Sequence, residues 1–310
     1  MIAFGPVPSR RLGRSLGINH IPPKRCTYSC IYCQIGRTRR MQVARQTFYS
    51  PAEIVDAVRE QVDRVRARGE GVDYLAFVPD GEPTLDANLG RTIEGLRPLG
   101  FPIAVISNAS LLSRQDVRAD LLRADWVSVK VDAVDERAWR HVDRPRGSLD
   151  LAAILEGALA FARSFQGTLV TETMLVAGVN DGAAQIEGVA RYLGELRPAT
   201  AYLAVPTRPP AEEWVRAPDE QVLNRAYQIL NEHVARVEYL IGYEGDAFAS
   251  TGDVEADLLS ITAVHPMRED AARAFLERAG AGQETIARLV AEDRLVEAIY
   301  GEHRFYVRRL

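Results

Sequence analysis

The 310-residue sequence has no cysteine outside one eight-residue window, no Asp or Glu in its first 52 residues, and no apolar run longer than a strand. Each absence excludes something. Stretches such as Tyr74 to Pro79 and Ala201 to Pro206 fall far short of the roughly 20 residues needed to span a bilayer, so no membrane association is expected. The amino terminus lacks the charged start, apolar core and small-residue cleavage site of a signal peptide, which points to a cytoplasmic protein. The three cysteines, Cys26, Cys30 and Cys33, are odd in number and tightly bunched, unlike a disulfide scaffold.

The missing acids leave a charge imbalance. Arg10, Arg11, Arg14, Lys24, Arg25, Arg37, Arg39, Arg40 and Arg45 give the first 52 residues nine positive charges, so with a net charge of -4 the remainder carries -13. Such a field attracts an anionic ligand. The same cations could instead pair with acids elsewhere in the fold. Both readings stay open at this stage.

What is present is a βα rhythm. Ser50-Pro51-Ala52-Glu53 supplies an N-cap, a first-turn proline and a capping-box acid, and Ile54, Val55, Val58 and Val62 follow at helical spacing, predicting a helix over 51 to 68. Strands are expected at Leu16 to Ile21, Tyr74 to Val78, Ile103 to Ser107, Trp126 to Val131, Thr168 to Leu175 and Thr200 to Val205, with helices between them. In such a series reactive groups lie on loops at the carboxyl ends of strands. The cysteine loop, Asp80-Gly81-Glu82-Pro83, Asn108 and Asp132 all fall there. Glu172, inside an otherwise apolar strand, is expected to point inward and to need a partner, either a cationic ligand or Lys130.

The rhythm breaks at 246 to 252, a small-residue linker between a first domain, 1 to 245, and a second, 253 to 310. Leu258, Leu259, Ile261 and Val264, then Ala271 to Leu276, then Ile286, Leu289 and Val290 form three helical stripes. Leu295 to Tyr300 and Phe305 to Arg308 flank Gly301-Glu302 as a hairpin. Three helices and a hairpin suggest a winged helix. Eleven acids against eight bases over residues 253 to 310 disfavour generic duplex binding, while the basic, aromatic segment 304 to 309 would suit single-stranded RNA or a peptide, or would simply pack on the helices.

Three thiolates spaced C-x3-C-x2-C can wrap a compact metal site, and three ligands to a four-iron cluster leave one iron open. A Cys3His zinc site completed by His20 is the alternative. The cysteine loop, Gly81-Glu82-Pro83-Thr84-Leu85, Ser128 to Ala133 and Val142-Asp143-Arg144-Pro145 together resemble the radical S-adenosylmethionine (SAM) superfamily, and within it the group that includes the wybutosine-synthesis enzymes. That resemblance implies a partial (β/α)6 barrel, an α/β fold, followed here by the small winged-helix-like domain. It implies a [4Fe-4S] cluster on Cys26, Cys30 and Cys33, with SAM on the fourth iron and an external electron donor of flavodoxin or ferredoxin type. It places Gly81, Glu82 and Pro83 at the methionine amino group, Tyr32 beside the adenine, and Asn108, Lys130 and Asp132 at the ribose or carboxylate. Wybutosine formation needs further cysteines for a second cluster, and this sequence has none, so that reaction is not expected.

Three functions follow as expectations: a radical enzyme modifying RNA, one modifying a protein, peptide or phosphorylated metabolite, and a non-catalytic iron–sulfur redox regulator.

Overall fold

The computed structural model describes residues 2–241, 248 and 252–309. The capping box forms as the sequence requires. Ser50 Oγ accepts from the Glu53 amide at 3.2 Å and the Glu53 carboxylate accepts from the Ser50 amide at 2.8 Å, starting helix α1, Pro51–Ala67. Its apolar face, including Ile54, Val58 and Val62, is fully buried in the main core.

The strands are β1 (Ala3–Ser9), β2 (Gly13–Ile18), the two-residue β3 (Arg25–Cys26) and β4 (Arg40–Met41), β5 (Tyr74–Phe77), β6 (Ile103–Ser107), β7 (Trp126–Lys130), β8 (Thr168–Met174), β9 (Thr200–Ala204) and β10 (Val237–Leu240). Helices α2 (Leu89–Leu96), α3 (Gln115–Leu121), α4 (Glu136–Val142), α5 (Leu151–Ser164), α6 (Ala183–Leu196) and α7 (Glu220–His233) alternate with them. The main sheet runs β1-β2-β5-β6-β7-β8-β9-β10, parallel throughout except that β1 is antiparallel to β2. All six expected strands are there, and two more extend the sheet.

Two differences from expectation have local causes. The first parallel strand ends at Ile18 because Asn19 leaves the ladder: its side chain donates to Asp80 Oδ2 at 2.9 Å and accepts from the Asp80 amide at 3.0 Å. Strand β1 contains Pro6 and Pro8, which read as loop, yet an edge position tolerates residues without a ladder N–H.

The carboxyl-terminal residues contain α8 (Val254–Val264), β11 (Met267–Arg268), α9 (Glu269–Arg278), α10 (Glu284–Ala291), β12 (Leu295–Tyr300) and β13 (His303–Arg308). The three strands form a sheet of order β11-β13-β12. Leu258, Ile261, Phe275, Leu276, Leu289, Leu295 and Tyr306 make a core separate from that of the main sheet, and Phe248 belongs to it. The expected linker, 246 to 252, lies outside the described residues apart from Phe248 and Gly252. This unit touches the main sheet at its β1 edge and at the segment that follows β9. Val7 of β1 packs against its core, and beyond β9 Tyr300 donates its hydroxyl to the Pro206 carbonyl at 3.1 Å. Among the described residues no helix is long and apolar enough to cross a membrane.

Candidate active site

The cysteine loop is fastened to the fold by its backbone. β3 pairs with β4, and Arg25 also bridges to Gly81. A side chain at position 81 would put its Cβ 1.9 Å from the Arg25 carbonyl oxygen, so only glycine permits this approach. Farther along, the Ser29 amide donates to Asp143 O and the Ile31 amide to Val142 O, each at 3.0 Å, tying the loop to the end of α4. The Cys33 amide donates to Cys30 O at 3.1 Å, closing the turn between the last two thiols.

All three cysteines are free thiols. Burial pushes Cys26 up to about 12, raises Cys30 well above its ordinary value, and raises Cys33 despite the nearby Lys24 and Lys130 charges. Thiolates in such a place need cationic compensation, which iron provides. Asn108 Nδ2 points at Cys26 Sγ at 3.5 Å and donates to Thr27 Oγ1 at 2.8 Å. The three-sulfur donor set fits a four-iron cluster with one iron left for another ligand. The zinc alternative fits less well. His20 is buried with Nε2 on the Pro83 carbonyl at 3.3 Å and its ring edge-on to Phe77, and burial lowers its pKa to about 4. Among the described residues no three His, Cys, Asp or Glu side chains gather as a single metal ion would need.

Glu82 is wholly buried between the second and third parallel strands. Its Oε1 accepts from the Thr84 amide at 3.0 Å, Thr84 Oγ1 at 2.6 Å and Ser107 Oγ at 2.7 Å, while Oε2 accepts from the Asn108 amide at 2.8 Å. Burial still raises its pKa. The carboxylate thus fixes the 3-10 turn Pro83–Leu85 and the end of β6 together.

Beyond the cysteines lies a continuous polar chain. Lys130, at the end of β7, donates to Glu172 Oε1 at 2.9 Å and sits 3.9 Å from Asp132 Oδ2 and 4.7 Å from the Tyr32 ring centroid. The inward orientation of Glu172 and its pairing with Lys130 are as expected. Arg11, from the β1–β2 turn, completes the ion pair on the other Glu172 oxygen at 2.5 Å. Burial opposes ionisation here, but Lys130 and Arg11 hold the Glu172 carboxyl at about 2, and Asp132 and Glu172 together keep the Lys130 ammonium above its ordinary value. The Tyr32 hydroxyl donates to Asp132, whose other oxygen accepts from the Met174 amide at 2.7 Å. Asp143 Oδ1 lies 3.3 Å from Cys30 Sγ, and burial together with the Asp132 charge raises its pKa far above the usual range.

A cavity of about 260 Å³ opens beside this chain, lined by Tyr32, Cys33, Lys130, Glu172 and Met174 and by the segment after β9. Tyr32, Cys33 and Lys130 therefore share one chamber. Asn108 and Asp132 sit one contact behind it, at Cys26 and Tyr32, and Gly81, Glu82 and Pro83 brace the cysteine loop from beneath. Arg11 and Asp143 were missed by sequence reasoning. Asp143 lies within the Val142 to Pro145 segment with nothing local to mark its partner, and Arg11 is one cation among nine.

Four of those nine cations are spent on acids elsewhere: Arg11 on Glu172, Arg14 on Asp73, Arg37 on Glu212, and Arg45 on Asp116 and Asp120. Lys24 is buried, and Arg25 lies over the Phe48 ring. The paired reading of the basic segment accounts for much of it.

A family model described as the radical SAM superfamily matches residues 20–192. The chain belongs to that superfamily. A UPF0026 protein of Methanocaldococcus jannaschii is 44% identical over 311 residues, covering 100% of this chain and 96% of the relative. Among solved structures, a radical SAM methyltransferase from Sphaerobacter thermophilus is similar with TM-score 0.52 and 17% identity, covering 73% of this chain and 66% of the other. Streptococcus suis SuiB, bound to precursor peptide SuiA, is similar with TM-score 0.52 and 10% identity, covering 70% of this chain and 47% of the other. At these identities the two structures establish the fold alone. Radical SAM proteins are enzymes that use a [4Fe-4S] cluster and SAM and draw on an electron donor, so this chain is an iron–sulfur, SAM-dependent enzyme.

Proposed function

We propose that the chain holds a single [4Fe-4S] cluster through Cys26, Cys30 and Cys33 and cleaves SAM reductively in the adjoining chamber. The observation that carries this reading is a loop bearing all the chain's cysteines, half-buried, against a chamber at the carboxyl ends of a parallel sheet. When bound, cluster and SAM supply one-electron cleavage of the sulfonium to methionine and a 5′-deoxyadenosyl radical. The chain's residues position and shield. Asn108 donates toward the Cys26 sulfur, and the Tyr32 hydroxyl is committed to Asp132, leaving the ring as the surface offered to adenine. Glu82 Oε2 accepts only one of that carboxylate's four internal contacts, so it retains a lone pair for the SAM ammonium. Lys130 and Asp132 set the charge at the ribose and carboxylate end. Membership of an enzyme superfamily leaves the redox-regulator reading without support.

Anaerobic reconstitution followed by SAM and dithionite tests this. Release of 5′-deoxyadenosine is expected from the wild type, and Cys30→Ala should lose both the product and the iron–sulfur absorbance. An intact, reduced wild-type cluster that releases none would overturn the proposal.

RNA modification, the first substrate reading, loses support to the ion pairs of the amino-terminal segment and to those of Arg304 with Glu297 and Arg309 with Asp293. A peptide or protein segment gains from one feature. A groove of about 1000 Å³ runs between β12 and the segment from Pro206 to Ala217, and Pro206 also lines the active-site cavity. We read residues 253 to 310 as a winged-helix-like domain that builds one wall of this groove, a reading supported by its separate core and its helix, strand, helix, helix, hairpin order. Mass analysis of what co-purifies distinguishes the two: bound oligonucleotide favours RNA, and one captured polypeptide favours the groove.

A further inference from the structure

The outer side of the cysteine loop carries a second groove, of about 570 Å³, that takes no part in the chemistry above. It is lined by Arg39, Arg40, Met41, Gln42, Val43, Ala44, Arg146 and Ser148. Arg39, Arg40 and Arg146 are exposed at its rim, and the half-buried Met41 and Val43 supply apolar surface between them. No acid lines it among the described residues.

Its floor is wired to a cluster ligand. Met41 stands opposite Cys26 in the β3–β4 pair, and the Gln42 amide donates to the Cys26 carbonyl at 3.1 Å. Adjacent strands lie about 5 Å apart, so the strand that floors the groove is one strand spacing from the Cys26 backbone. The Arg146 guanidinium donates to the Met41 carbonyl at 3.0 Å, holding one rim against the floor. A small apolar centre with a rim of one charge sign suits a weak, fast-dissociating encounter steered by electrostatics.

We propose that this groove is the docking surface for an acidic one-electron-carrier protein, which reduces the cluster through the Met41–Gln42 strand and Cys26. The inference rests on the cluster assignment above. One electron leaves the carrier's reduced centre and enters the cluster, and no bond forms or breaks at the groove. The rim arginines attract the carrier's carboxylates, and the substrate enters elsewhere, through the chamber, which shares no lining residue with the groove.

The test uses a purified acidic flavodoxin with full-length protein, both reconstituted and cluster-free. Binding is titrated at low and high ionic strength, and reduction of the reconstituted form is followed by stopped-flow bleaching. The double substitution Arg40→Glu with Arg146→Glu is expected to weaken binding about tenfold or more at low salt in both forms, and to slow reduction by flavodoxin hydroquinone by a similar factor. Bleaching by dithionite should stay within about twofold, and Arg40→Lys with Arg146→Lys should restore binding. Unchanged affinity in the charge-reversed protein, or salt-insensitive binding, overturns the proposal. So does a short single-stranded RNA that displaces the carrier and loses affinity in the same variant. A dithionite-reduced wild type that releases no 5′-deoxyadenosine refutes the SAM chemistry alone, because the binding titration does not depend on it.

Discussion

Two clusters of ion pairs in this molecule use the same side-chain types to different ends. In the barrel, Glu172 lies between Arg11 and Lys130, with side chains only 12 to 17% exposed. In the carboxyl-terminal unit, Glu255 lies between Arg288 and Arg294 with side chains 31 to 50% exposed. Water screens the second trio, and its loss would leave solvated charges behind. The first is held where an unpaired charge is costly, beside the chamber and the cysteine loop. A buried ionic chain is weak support for a fold's stability, but it fixes positions strictly, because removing Lys130 or Glu172 leaves a buried charge short of its partner.

Lys130→Met breaks this comparison most severely. It leaves Asp132 and Glu172 buried without their shared cation, and a loss of about 3 to 5 kcal/mol in urea unfolding is expected. Stability within error of wild type would place the barrel trio in the same class as the surface one.

A second, smaller effect concerns acid. His20 is buried with its pKa lowered to about 4, so between its unfolded value near 6.5 and about 4 the unfolded chain binds the extra proton. Its contribution is complete above that window and is lost as the pH falls through it, to a limit of about 3 kcal/mol. Asp80, raised by burial to about 6, acts in the opposite direction as the pH falls. His20→Phe, which keeps a ring against Phe77, isolates the histidine: unfolding measured at pH 7, 5.5 and 4 should show the variant losing less stability than the wild type. Parallel curves would refute the assignment.

The smallest effect is expected from Glu255→Ala. Its urea midpoint should match that of the wild type, and any difference at low salt should vanish at high salt. A large, salt-resistant loss would show that the exposed trio is as constraining as the buried one.

Legibility in the sequence followed burial and distance along the chain. β5 to β9 were readable to within a residue or so because strands covered on both faces of a parallel sheet are nearly continuous apolar runs. β1 and β10 were not: one carries two prolines at an edge, and the other is four residues that include a glutamate. The cysteines and Gly81 to Pro83 were visible because three thiols in eight residues and a Gly-Glu-Pro turn after an apolar strand are rare patterns. Asp143 and Arg11 were invisible as partners, since Cys30 lies 113 residues from the first and Glu172 lies 161 from the second.

The sequence by itself determined that one loop carries every cysteine and that a βα series presents it at the strand ends. Composition and local periodicity are enough for that. Only the tertiary structure decided which charges are spent. It turned much of the basic amino-terminal segment into ion pairs, left Arg40 and Arg146 at a groove behind Cys26, and folded the carboxyl-terminal unit against β1 and the segment after β9. The physical reason is that an ion pair depends on separation and burial, and neither exists until strands distant in sequence lie side by side.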